Sequence, residues 1–306
     1  MNLRRLLIVA ACVPTMAAAP VRTQVSDPPA VCDSCDGWNQ PQPPFKIHGR
    51  SYYVGVRGLS SVLIQTSEGL ILLDGGLPQS AALIEANIES LGFRIEEVRL
   101  ILNSHAHFDH AGGIARLQRK SGAVVAASSS GAQALMGGGP VKDDPQFGPG
   151  GKDGIFPRVP KVRVVKDKEA LRVGDTAITA HLTPGHTPGS TTWTWSSCVA
   201  DDCVDIVYAD SLSSVSSKGF RFLGDRTHPD VSETFRRSIA TVGALPCDII
   251  VSVHPDFTGL FDKLKRRSTS PVRDPFIDSA GCRTYVSGAS QSLDQRLKAE
   301  RAPTTK

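Results

Sequence analysis

The sequence is short of long hydrophobic runs. No later segment reaches the roughly 18 consecutive apolar residues of a membrane-spanning helix, so no helical anchor is expected for the mature chain. It is also short of net charge. A formal +4 over 306 residues gives no electrostatic reason to expect nucleic acid or an anionic surface as a partner. The motifs of serine hydrolases are missing. There is no Gly-x-Ser-x-Gly elbow and no Ser-x-x-Lys followed by Lys-Thr-Gly, so no serine nucleophile is marked. Glycine-rich nucleotide loops, heptads and short-period repeats are absent too, which removes nucleotide-binding and solenoid readings. No linker of the kind that separates independent domains interrupts the chain. With 40% hydrophobic and 21% charged residues, what is left is an ordinary soluble globular protein.

The amino terminus differs in kind. Arg4 and Arg5, the apolar run Leu6 to Val13, and Ala17-Ala18-Ala19 read as a secretory signal peptide over residues 1–19. Its two arginines leave with it, taking the formal charge from +4 to +2. A competing reading makes Val9-Ala10-Ala11-Cys12 a lipoprotein processing site, although the apolar run before Cys12 is short for that. The export reading places the protein in the periplasm. Beyond the leader lie Cys32, Cys35, Cys198, Cys203, Cys247 and Cys282. An even number in an exported chain suggests disulfides, grouped as Cys32–Cys35, Cys198–Cys203 and Cys247–Cys282. Free thiols and a cysteine-only metal site are the alternatives. The first is weakened by export, the second by the distance between the close pairs.

Residues 20–46 read as an extended, Pro-rich arm, and residues 20–306 as one domain. Strands are predicted over Ser61–Thr66 and Gly69–Leu73, then a helix over Pro78–Leu91 and a strand over Val98–Leu102. A helix over Ala111–Lys120 and a strand over Ala123–Ala127 follow. Residues 137–160 are rich in Gly and Pro and form a long rim or lid loop. The second half repeats the style, with strands at 161–165, 170–173, 177–183, 191–195, 205–208 and 247–253. Helices are predicted at 232–245 and 293–300. Two halves of strands and helices predict two sheets packed face to face with helices outside.

The most informative segment is Asn103-Ser104-His105-Ala106-His107-Phe108-Asp109-His110, directly after a strand. Four possible ligands occupy six positions, and three of the chain's eight histidines lie there. Alternation in an extended turn points His105 and His107 the same way, with Asp109 and His110 toward a neighbouring point. Imidazole and carboxylate are common zinc ligands. His186, in Thr183-Pro184-Gly185-His186-Thr187-Pro188-Gly189, and His254, before Pro255, each follow another strand. Three strand ends would then converge at one edge. His48, His181 and His228 lack such a setting and read as ordinary structural or surface histidines.

This His-x-His-x-Asp-His constellation resembles the metallo-β-lactamase superfamily, over nearly all of the mature chain. The resemblance implies an α/β, four-layer αβ/βα sandwich. In the family pattern His105, His107 and His186 would hold one zinc. The finer resemblance is to class B, subclass 3, in which Asp109, His110 and His254 would hold a second. Ser211 stands where subclass 1 has a cysteine ligand. Asp144-Pro145-Gln146-Phe147 and Thr192-Trp193-Thr194-Trp195 are also similar to stretches of subclass 3 enzymes. So are the pairs Cys247–Cys282 and Cys198–Cys203, whereas some relatives have a cysteine partner where this chain has Arg57.

The resemblance implies a monomer with two zinc ions that opens penicillins, cephalosporins and carbapenems by attack of a zinc-bound hydroxide, giving antibiotic resistance. Asp109 and His186 would serve catalysis, while Ser211, Ser213 and Gln146 would contact substrate. Asp74 is expected to hold a ligand imidazole. Asp210 would bridge two metals only if the chain were instead a lactonase or a glyoxalase II-like thioesterase of the same fold.

Overall fold

A computed structural model of the chain describes residues 27–148, 154–269 and 274–302. The expected leader, Cys12 and residues 149–153 of the rim loop lie outside the described residues. Seven strands form the first sheet, in chain order: β1 (Phe45–His48), β2 (Ser51–Tyr53), β3 (Val62–Thr66), β4 (Gly69–Leu73), β5 (Val98–Leu102), β6 (Val124–Ala127) and β7 (Val162–Val164). Its first four strands pair antiparallel, and β4 to β7 pair parallel. The second sheet holds β8 (Ala170–Val173), β9 (Thr176–Leu182), β10 (Thr191–Val199), β11 (Asp202–Ala209) and β12 (Ile249–Ser252), in the order β12-β11-β10-β9-β8.

Strand side chains alternate between faces, and this builds the layers. Val62 and Ile64 of β3 and Ile71 and Leu73 of β4 point to the second sheet. There they share one core with Ile178, Trp193, Ile206 and Val251. Leu63, Leu70 and Leu72 point the other way, against Ile84 and Ile88 of α2 (Ser80–Ser90) and Ile114 and Leu117 of α4 (Ile114–Ser121). On the far side Val207 and Ile250 pack on Cys282 of α8 (Gly281–Arg301). Phe235 and Val242 of α6 (Ser232–Gly243) pack on Leu293 and Leu297 of the same helix. The result is the expected four-layer αβ/βα sandwich. Strands covered on both faces read as unbroken apolar runs, which is why they were visible in the sequence. The three expected cysteine pairs lie at bonding distance, with S–S separations of 2.17, 2.00 and 2.03 Å.

Several boundaries differ from expectation. The arm 20–46 already contains α1 (Cys35–Trp38) and the start of β1. The predicted helix Ala111–Lys120 corresponds to α4, which begins only at Ile114, and Ala111 belongs instead to a separate short helix, α3 (Phe108–Ala111), set off by Gly112-Gly113 in what was expected to be an extended turn. Gly113 packs so closely on the Gly75 carbonyl that a Cβ there would clash with it. Helix α5 (Ser129–Gly137) was hidden by its serines and glycines, and its start is capped by Ser128, whose hydroxyl accepts from Gly131 N. Helix α7 (Leu260–Arg267) is equally unannounced. Helix α8 runs 21 residues instead of the predicted eight, because its first half is Gly-, Ser- and Thr-rich and lacks an apolar period. Strands β10 and β11 extend past the core as a hairpin whose tip carries Cys198 and Cys203.

Candidate metal centre

The site is built where β4, β5, β9, β11 and β12 end. After Leu102 the chain leaves the sheet, bends at Ser104 and reaches His107, the N-cap of α3, whose own backbone is extended. His105 and His107 therefore come from this connecting stretch, while Asp109 and His110 come from the helix turn. Asp74, just beyond β4, holds this stretch in place. Its carboxylate accepts from Ser104 N at 2.8 Å, Ser104 Oγ at 2.6 Å, Asn103 Nδ2 at 2.9 Å and Tyr208 OH at 2.9 Å. It does so with a left-handed backbone, φ 56°, a conformation unfavourable to a residue with a side chain. The expectation that Asp74 holds a ligand imidazole is thus corrected. It holds the backbone and hydroxyl beneath the ligands, because its fully buried carboxylate must satisfy itself on the nearest donors.

Each histidine of the trio His105, His107 and His186 has one nitrogen engaged by a carboxylate or carbonyl and the other turned toward a common point, where His105 Nε2 is unpartnered and the other two meet only the Gln146 amide. His105 Nδ1–H donates to Asp210 Oδ1 at 2.6 Å. His107 Nε2–H faces both oxygens of Asp144 at 3.1 Å. His186 Nδ1–H donates to the Ser213 carbonyl at 3.0 Å, which fixes its tautomer. The ligand atoms of the trio lie within 4.8 Å of one another. The same limit encloses ligand atoms of His105, Asp109 and His110. His254 adds to this second group, its Nε2 3.4 Å from Asp109 Oδ2 while its Nδ1–H donates to the Gly58 carbonyl at 3.2 Å. His110 Nε2 lies 3.2 Å from the same carboxylate oxygen.

Burial dominates the protonation of these groups. It drives His105 well below the usual imidazole range, helped by the neighbouring histidines, and takes His186 down to about 3, with His107 contributing. Burial also opposes charge on His107, but Asp144 outweighs it and raises that group. Asp109 is disfavoured as an anion by burial, yet His110 and His254 hold it well below the carboxylate range. Burial pushes Asp210 up to about 7. His105 and His186 are thus held neutral and Asp109 ionised, the forms a cation needs, whereas Asp109 raises His110 as Asp144 raises His107, so those two would have to give up a proton to a metal.

The donor set fits a metal. His105 Nε2 and His110 Nδ1 are buried without a hydrogen-bond partner among the described residues, and His110 Nε2 has only its fellow ligand Asp109, at 3.2 Å. Such orphans are costly unless something occupies the space between them. Nitrogen and carboxylate donors in this mixture suit zinc.

A cleft of about 450 Å³ opens onto both groups. Its walls include Trp38, Phe108, Gln146, Ser211, Ser213 and Phe257, so all three expected substrate contacts line it. The Gln146 amide lies across the trio, its Nε2 3.5 Å from His107 Nδ1 and 3.4 Å from His186 Nε2. Ser213 Oγ is also 3.1 Å from His186 Nδ1, so this serine touches a ligand as well as the cleft. His48, His181 and His228 stand apart from the site and bond Ser197, Thr194 and Thr227, as expected of structural histidines. Sequence reasoning missed Asp144 as the partner of His107, Asp210 as the partner of His105, and the aromatic wall of Trp38 and Phe257. The only signal for Asp144 was an acidic residue two places before Gln146.

A model of the metallo-beta-lactamase superfamily matches residues 54–254. Curated relatives include probable metallo-hydrolases of Mycobacterium tuberculosis and Mycobacterium bovis, each 33% identical over 116 residues. The match covers 29% of this chain and spans only 37% of their length. Among solved structures, the Rm3 metallo-beta-lactamase is 46% identical with a TM-score of 0.85, over 89% of this chain and 100% of that one. MEM-A1, a subclass B3 enzyme from a soil metagenome library, is 47% identical with a TM-score of 0.82, over 86% and 98%. MIM-1 from Novosphingobium pentaromativorans is 40% identical with a TM-score of 0.78, over 86% and 92%. This chain belongs to the metallo-beta-lactamase superfamily, and the subclass B3 enzymes are members that it resembles.

Proposed function

We propose that the protein is an exported zinc hydrolase that opens the amide bond of β-lactam antibiotics and so gives resistance to penicillins, cephalosporins and carbapenems. One observation carries the reading. A prepared histidine trio and a second ligand group share the floor of a cleft, in a chain 46–47% identical to solved metallo-beta-lactamases. His105, His107 and His186 would hold one zinc, and Asp109, His110 and His254 a second. Zinc there supplies a Lewis acid for the carbonyl and a water acidic enough to attack near neutral pH.

The protein's own residues prepare that chemistry. Asp210, Asp144 and the Ser213 carbonyl each fix one imidazole, so that its other nitrogen is presented as a lone pair. Asp109 and His186, one from each group, are the ligands assigned to the catalytic step. Gln146 lies over the trio, where it can touch substrate. Ser211 and Ser213 on the cleft wall offer hydroxyls to the carboxylate beside the lactam ring. Trp38, Phe108 and Phe257 supply apolar surface that excludes water.

A lactonase or thioesterase on this scaffold would need Asp210 as a bridging ligand. Asp210 Oδ1 accepts from His105 at 2.6 Å, while its Oδ2 is buried without a hydrogen-bond partner among the described residues, so the carboxylate does not by itself separate the two readings and substrate turnover decides between them. The organisation proposed is a leader over 1–19, one domain over 20–306 and a monomer in the periplasm. Among the described residues, no helix is long and apolar enough to cross a membrane.

The test is direct. Zinc-loaded mature protein is mixed with a penicillin, a cephalosporin and a carbapenem, and ring absorbance is followed. At least one is opened, the carbapenem among them, and turnover stops with a chelator and returns with zinc. Efficient cleavage of a thioester or lactone by folded, zinc-loaded protein that opens none of the three would overturn the proposal.

A further inference from the structure

Two of the three trio histidines are held by a single short segment. Asp210 supports His105, and Ser213 supports His186 through its carbonyl. Asp210 to Ser213 lies just past the end of β11, where the ladder stops. The Ala209 carbonyl still accepts from Val253 N, but among the described residues the next backbone–backbone hydrogen bond is from Ser217 N to Pro145 O. Asp210, Ser211 and Leu212 are nonetheless buried, at 0%, 1% and 2% exposure. Buried peptide groups without a ladder need other partners.

One side chain provides two of them. The Tyr285 hydroxyl donates to the Asp210 carbonyl at 2.7 Å and accepts from Leu212 N at 3.2 Å. A third contact, Asp210 N to Thr192 Oγ1, is long at 3.3 Å. Tyr285 comes from α8, three residues after Cys282, which is bonded to Cys247. Its ring packs where two apolar clusters meet, beside Leu212 and Phe235 on one side and Ile250 and Cys282 on the other. Packing of the partly buried ring against both clusters holds its hydroxyl toward the segment.

We infer that Tyr285 is a positioning residue of the metal centre, bracing from the C-terminal helix the segment that orients His105 and His186. The inference rests on the metal-centre reading above. Tyr285 touches no ligand, so its effect is transmitted through Asp210 and Ser213. Changing an outer partner of a metal ligand typically costs 10–100-fold in affinity, and one step further out the expected loss is about 10-fold.

The experiment compares the full chain with Tyr285→Phe, which removes only the hydroxyl, and Val286→Ala, which loosens the same helix against Gly243 without touching the segment. Zinc affinity is measured by competition with a chromophoric chelator well below the melting temperature. The cobalt-substituted forms are compared by visible absorption. Tyr285→Phe should lose about 10-fold in zinc affinity and change the cobalt bands, while Val286→Ala lowers the melting temperature and leaves both unchanged. Unaltered affinity and spectrum in Tyr285→Phe, or an equal loss in Val286→Ala, would overturn the inference. Wild-type protein that holds no zinc would instead bring down the metal-centre reading and this inference with it. If Tyr285→Phe does not fold, hydrogen exchange of the wild-type Leu212 amide decides. Protection supports the brace, and exchange at the rate of an open loop refutes it.

Discussion

The two ligand groups differ less in residue type than in how they are held. Every ring of His105, His107 and His186 has one nitrogen tied to a carboxylate or carbonyl of the protein. Among Asp109, His110 and His254, only His254 is tied to a group outside the ligand set, the Gly58 carbonyl at 3.2 Å. His110 Nδ1 lacks a hydrogen-bond partner among the described residues. Asp109 faces His110 and His254 at 3.2 and 3.4 Å, and the His254 side chain is 16% exposed against 1% for His105. The trio is therefore oriented by the protein in advance. The second group is gathered by charge and leans on the ion it would bind. Preorganisation is what converts donor atoms into affinity, so the two groups should not bind alike.

The largest test deletes ligands. His107→Ala should lose on the order of 10³-fold in lactam hydrolysis, since several kcal/mol of charge stabilisation go with the trio's ion. His254→Ala should keep one zinc and lose less, about 10–100-fold. Steady-state rates with elemental analysis, alongside circular dichroism to show intact folding, decide the matter. Equal losses and equal metal contents in the two variants would break the asymmetry.

Metal removal asks the same question without mutation. Titration with a chelator should release zinc in two phases, with the first ion leaving at a chelator concentration about 10-fold below the second. Activity should fall with the first phase. A single concerted release of both ions would mean that the ties on the trio do not matter.

Outer partners should sharpen the contrast further. Asp144→Ala frees His107 Nε2 and should weaken zinc retention by about 10–100-fold. Asp210→Asn should do less, because the amide oxygen can still accept from His105 Nδ1–H and the carboxyl is already held near a pKa of about 7 by burial. Chelator competition on both variants measures the difference. An Asp210→Asn loss as large as that of Asp144→Ala would show that the charge, not the acceptor, orients His105.

How much of this could be read from the sequence follows from separation along the chain. His105, His107, Asp109 and His110 crowd six positions, and His186 and His254 each close a recognisable strand, so the ligands were legible. The covered strands were legible because burial on both faces leaves an apolar run. What holds the ligands was not. Asp210 is 105 residues from His105, Asp144 is 37 from His107, and Gly58 is 196 from His254. No local pattern records such a pairing. Asp74 shows the failure most clearly. A carboxylate ending a strand before Gly75-Gly76 suggests a ligand's partner, but its left-handed backbone turns it onto Ser104 and Tyr208. Helix α5 and the first half of α8 were lost because glycine and serine carry little periodic signal.

Ser211 and Ser213 give the smallest test. The two alternate with Leu212 and both line the cleft, yet only one is tied to the trio. Ser213 holds His186 through its carbonyl at 3.0 Å as well as through Oγ at 3.1 Å. Alanine keeps the carbonyl, so Ser213→Ala should retain zinc and lose only a hydroxyl. Ser211 is 1% exposed and bonds none of the ligand histidines through its hydroxyl. Its only assigned partner is the substrate carboxylate. A hydrogen bond to a charged group is worth about 1.5 kcal/mol at the low end, or about 10-fold. Ser211→Ala should therefore raise KM about 10-fold for a carboxylate-bearing lactam, with kcat and zinc content near wild type. Ser213→Ala should raise KM by a similar factor and also lower kcat slightly, because its hydroxyl shares the His186 proton. Kinetics and elemental analysis on the pair separate the roles. A fall in zinc content in Ser211→Ala would place that hydroxyl with the metal and not with the substrate.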